Sequence, residues 1–81
     1  MSLERAAMRG QLAELQEQRS RLRLRIEGDS RAIRTGLNTA ITPVDDLEIP
    51  LLAGQMDQLV AAWTELTVIN SRIGRLEKEL G

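Results

Sequence analysis

Eighty-one residues suffice for one small domain, and 28% of them are charged, 42% hydrophobic and only 1% aromatic. The chain has no His, Cys, Phe or Tyr and a single Trp, which removes disulfides, thiol nucleophiles, imidazole bases and ordinary zinc or haem sites. Eleven basic and twelve acidic residues give a net charge of −1, so the whole chain is neither a polycation nor a polyanion.

The first half reads as one helix, from about residue 2 to about residue 38. Its apolar residues Met8, Leu12, Leu15, Leu22, Ile26 and Ile33 recur at steps of three, four or seven, the spacing of a heptad seam. Leu12, Ile26 and Ile33 take one core column (a), and Met8, Leu15 and Leu22 take the other (d). Arg19 then falls in the a column and Asp29 in the d column. Ser2 is the expected N-cap, and Glu4 suits the positive end of the helix dipole. The stretch Arg21 to Ile26 alternates charged and aliphatic residues as a strand would, but the longer helical period overrides six residues of alternation. Leu24 is thereby left pointing away from the seam. Gly28 and Gly36 each weaken the helix by ~1 kcal/mol relative to Ala. A break over residues 27–30 is the competing reading.

A connection over about residues 39–49 contains a short helical turn from Pro43 to Glu48. Thr42 is its N-cap, Pro43 its first residue and Asp45 the capping partner. Pro50 interrupts what precedes it and starts the second helix, about residues 50–80. That helix has a seam of Leu52, Met56, Leu59, Trp63, Leu66, Ile73 and Leu80, with Asn70 and Glu77 in its polar gaps. Trp63 and Met56 are thus read as core.

Two helices with a short connection imply an all-α, antiparallel two-helix coiled-coil hairpin as a single domain over residues 1–81. Residues 1–36 carry eight Arg against five acids, and residues 37–81 carry three basic residues against seven acids. The two halves should therefore attract one another when folded back. In that geometry Arg19 lies near Asn70, and the pair would form one polar layer that sets register. On this reading Asn70→Leu should raise thermal stability and loosen the choice of oligomer.

Leu24, Leu37, Ile41, Val60, Val68, Ile69 and Leu76 lie off both seams. They are read as the second face of a homodimeric four-helix bundle, since a two-helix layer covers only one side of each helix. The leading function is a non-enzymatic structural or adaptor module that binds itself or another helical protein. The alternative is a small nucleic-acid-binding accessory protein that contacts phosphates through Arg19, Arg21, Arg23 and Arg25. These four spread around more than half the helix, and no aromatic residues lie among them to stack on bases.

Asp45, Asp46 and Glu48 offer three carboxylates in four residues, but they lack the Gly-bearing loop and ligand number of a calcium site. Helix-dipole interaction accounts for them more simply. No cofactor, metal, small-molecule substrate or catalytic residue is expected. No apolar run reaches the ~18 residues of a membrane span, and nothing at the start resembles a signal peptide, so a cytoplasmic location is the expectation.

The segments Thr35-Gly36-Leu37-Asn38, Thr42-Pro43, Leu47-Glu48-Ile49-Pro50 and Arg75-Leu76-Glu77-Lys78-Glu79-Leu80 resemble short uncharacterised helical proteins of Mu-like bacterial prophages. The resemblance implies a phage accessory context and carries over no functional residues.

Overall fold

In the computed structural model, which describes residues 2–81, the Ser2 hydroxyl accepts a hydrogen bond from the Arg5 amide at 3.4 Å and caps the helix that follows. This helix, α1 (Leu3–Gly36), runs unbroken through Gly28. No bend-forming Pro stands beside that glycine, and the seam residues on either side hold the backbone in register. The chain leaves the helix at Gly36, two residues before the expected end. Asn38 organises the exit: its side-chain oxygen accepts from the Ala40 amide at 3.0 Å, and its carbonyl accepts from Ile41 and Thr42.

The expected helical turn is present in a tighter form, a 3-10 turn over Val44–Asp46. Its capping differs from expectation. Pro43 holds the N-cap position, the Pro43 carbonyl accepts from the Asp46 amide at 2.9 Å, and no side chain caps the turn. The turn starts at Val44, one residue later than expected, so Pro43 and not Thr42 takes the position before it. The second helix, α2 (Ile49–Leu80), begins one residue before Pro50. Proline is tolerated there because a first-turn residue has no intrahelical acceptor for an N–H.

The helices pack side by side and antiparallel. At the loop end Leu52 of α2 sits over Gly36 of α1. At the open end the Arg5 guanidinium donates to the Leu80 carbonyl at 2.8 Å. The result is a rod of 64 × 16 × 14 Å. Among the described residues there is no strand. Arg5→Ala should speed hydrogen exchange of the last α2 turn roughly three- to tenfold, because one charge-assisted bond ties that turn down.

Leu15, Leu22, Ala62, Ile69 and Ile73 form the core, with Leu12, Ile26, Leu66 and Leu76 packed at its margins. Ile73 is only 1% exposed, and burying such a side chain contributes about 1.5–3 kcal/mol. The α1 seam matches its expected columns. Met8, Leu12, Arg19, Ile26 and Ile33 are half-buried, Leu15 and Leu22 fully so, and Asp29 and Gly36 continue the d column.

The α2 seam does not match. Leu52, Leu59, Leu66, Ile73 and Leu80 lie on it as expected, but the second column is Gln55, Ala62, Ile69 and Leu76 rather than Met56, Trp63 and Asn70. Trp63 is 60% exposed and Met56 48%. The physical reason is space. Helix axes in a close pair lie ~8–10 Å apart, a gap that takes Ala62 opposite a branched aliphatic but not an indole.

Two glycines make opposite predictions. A Cβ at Gly36 would come 2.5 Å from Leu52 Cδ2, whereas one at Gly28 would meet nothing within 4 Å. Gly28→Ala should therefore stabilise by about 0.5–1 kcal/mol, the ordinary helix gain. Gly36→Ala should lose that gain and more, because Leu52 is buried and must move. Urea unfolding of both variants measures the contrast.

Candidate functional site

Exchanging the two α2 columns produces the surface of interest. Ile49, Ala53, Met56, Val60, Trp63, Thr67, Asn70 and Gly74 follow each other at alternating steps of four and three. This is a second heptad stripe on the same helix, beside the one that packs on α1. All eight residues are exposed. Asp57, Thr64 and Ser71 border it on the outer side, and Gly54, Ala61 and Val68 form a further exposed column beyond them. Between residues 49 and 71 only Asp57 and Glu65 are charged, and neither lies on the stripe. Met56, Val60 and Trp63 thus leave an uncharged apolar strip of α2 in contact with water.

A shallow cleft of about 320 Å³ marks the middle of this surface, lined by Ile26 and Ser30 of α1 and by Met56, Leu59, Val60 and Trp63 of α2. The opposite side of the rod is polar. Gln18, Arg21, Arg25 and Glu65 line one cleft there, and Gln11, Arg72, Arg75 and Glu79 another. The hairpin is thus a slab with one uncharged α2 face and one charged face.

The residues expected on a second face are scattered. Val60 joins the stripe, and Val68 is exposed on α2 beyond the Asp57, Thr64 and Ser71 column. Ile69 and Leu76 do not belong to an outer face, because Ile69 is buried in the α1–α2 seam and Leu76 packs against the core. Leu24 and Ile41 are about 70% exposed, on the far side of α1 and in the connection respectively. Leu37, 47% exposed, sits at the end of α1. Met56 and Trp63 are stripe residues that had been assigned to the core. Gln55, Ala62, Ile69 and Leu76 keep a seven-residue period as Met56, Trp63 and Asn70 do, so periodicity alone does not separate the two columns.

The polar layer is rearranged as well. With Leu52 over Gly36, antiparallel packing brings Arg19 level with Ile69, not Asn70. Arg19 is half-buried and Asn70 is exposed on the outer stripe, so no Arg19–Asn70 layer sets the hairpin register. The polar groups inside the seam are instead Asp29 and Gln55. Asp29 Oδ2 and Gln55 Oε1 are both buried without a hydrogen-bond donor. Arg25 Nε stands 3.8 Å from Asp29 Oδ2, close enough for an ion pair and too far for a hydrogen bond. Asp29→Leu should raise hairpin stability by about 1–2 kcal/mol, since a shielded, undersatisfied carboxylate is exchanged for seam packing. A lower melting temperature would show that Asp29 has a donor in solution.

Arginine chemistry is dispersed. Arg21 pairs with Glu17 at 3.3 Å, and Arg25 pairs with Asp29, both one turn apart on α1. Among the described residues no ion pair within 4.0 Å crosses from one helix to the other. The charge asymmetry of the two halves therefore acts at longer range, across clefts such as that between Arg21, Arg25 and Glu65. Arg19, Arg21, Arg23 and Arg25 point in different directions around α1, and two of them are engaged by carboxylates. Asp45, Asp46 and Glu48 are exposed, and among the described residues no group of three or more acids gathers into a metal-binding cluster. Among the described residues no helix is long and apolar enough to cross a membrane.

No protein-family model matches the chain, and comparison with curated proteins and with solved structures finds no match either.

Proposed function

We propose that this chain is a non-enzymatic structural or adaptor module that self-associates through helical faces, with two hairpins forming a four-helix bundle. The observation that carries the reading is the uncharged outer stripe of α2, exposed from Ile49 to Gly74 on a rod only two helices thick. Leaving Met56, Val60 and Trp63 in water forfeits hydrophobic stabilisation that a helical partner restores. A cytoplasmic setting and a phage accessory context, the latter from the prophage resemblance, belong to the same proposal.

Sedimentation equilibrium tests it. A mass of two chains at micromolar concentration is expected, and Val60→Glu should return the species to one chain while far-UV circular dichroism stays helical. A one-chain mass at every concentration would remove self-association. The nucleic-acid reading predicts something different: binding that weakens steeply with salt and is lost when Arg21, Arg23 and Arg25 become Gln.

A further inference from the structure

We infer that the occupant of the outer stripe is the same stripe of a second copy, laid antiparallel and centred between Ala61 and Ala62. This rests on the self-association proposed above and adds its partner surface, orientation and register.

Side-chain size is the first ground. About that centre Trp63 of one copy meets Val60 of the other, Met56 meets Thr67, and Ile49 meets Gly74. Each large group lies against a smaller one, as close packing requires. A parallel, in-register pairing would instead set indole on indole and Gly74 on Gly74, with voids at the small residues.

Charge is the second ground. The exposed carboxylates Asp45, Asp46 and Glu48 adjoin the start of α2, and the exposed basic residues Arg72, Arg75 and Lys78 lie near its end. Antiparallel pairing brings Asp45 of one copy level with Lys78 of the other at both ends of the interface, while Arg72 and Arg75 lie toward the charged face. Glu77 and Glu79 offset part of the positive charge, but residues 72–80 remain basic by three to two. Parallel pairing would stack the three acids on their own copies, and its one polar gain is an Asn70 pair.

Area is the third ground. The stripe is about 38 Å long at ~1.5 Å per residue, and the rod is 14–16 Å across. Contact over the full width of the rod, with the α1 margin at Ile26 and Ser30 included, covers about 600 Å² per copy and ~1,200 Å² in all, the lower edge of specific interfaces. A micromolar dimer fits that size.

The chain has no cysteine, so single thiols report orientation directly. Ala53 and Asn70 are exposed and face each other only in the antiparallel arrangement. Mixing A53C with N70C under mild oxidation should give the mixed disulfide well above either homodisulfide, with S71C as the off-stripe control. Trp63, the only aromatic residue, provides a readout without mutation. Its emission should shift to the blue between about 1 µM and about 100 µM as the two-chain mass appears. A two-chain mass with 53–53 and 70–70 homodisulfides would overturn the antiparallel pairing and leave self-association standing. A one-chain mass with unshifted Trp63 emission would overturn both.

Discussion

Ile73→Ala is expected to destabilise the protein by about 2–5 kcal/mol and to lower its melting temperature by roughly 10–30 °C. Ile73 is the most deeply buried side chain, 1% exposed, and is surrounded by core residues from both helices. Removing three carbons there loses their transfer energy and leaves a cavity that two straight helices cannot collapse around. A hairpin of this length has only about 4–12 kcal/mol of stability in total, so a large share disappears with one substitution. Thermal melts followed at the helical circular dichroism band measure it. A loss below ~1 kcal/mol would mean that the α1–α2 seam is not the main source of stability.

Ile69→Asn and Asn70→Leu form the second large contrast, because adjacent residues lie on different stripes. Ile69 is buried at 4% exposure within the apolar cluster, and an amide there would be desolvated and would lose its packing. A destabilisation of about 3 kcal/mol or more is expected. Asn70 faces water, so its replacement by Leu should move hairpin stability by no more than ~0.5 kcal/mol. If the seam instead ran through Met56, Trp63 and Asn70, Ile69→Asn would change stability little and Asn70→Leu would raise it clearly. Denaturant unfolding at sub-micromolar concentration, where association does not contribute, separates the cases.

Asn70 and Trp63 mark the boundary between what is legible in the sequence and what is not. On α1 one stripe is apolar and its surroundings are charged, so Met8 through Ile33 can be assigned to a single seam. On α2 the polar background is missing. Leu52, Leu59, Leu66, Ile73 and Leu80 belong to a seam under any reading, but two columns compete to complete it. Met56 and Trp63 weigh more on any hydrophobicity scale than Gln55 and Ala62. Hydrophobicity rewards the larger residues, whereas a narrow helix–helix gap favours the smaller ones. The same near-absence of charge that obscured the inner seam is what defines the outer surface.

The amino-acid sequence by itself determined that this protein is two long helices joined by a short Pro-bounded connection, with α1 facing inward through Met8, Leu15 and Leu22. Those conclusions follow from heptad spacing, helix-forming composition and the backbone restrictions of Pro43 and Pro50, all of which act locally. Only the tertiary structure decided which side of α2 meets α1. That choice depends on the register between segments far apart in sequence. Leu52 fits over Gly36, Ala62 admits close approach, and Trp63 is too large for the gap. Local periodicity supplies two equivalent stripes, and steric fit across the hairpin selects between them.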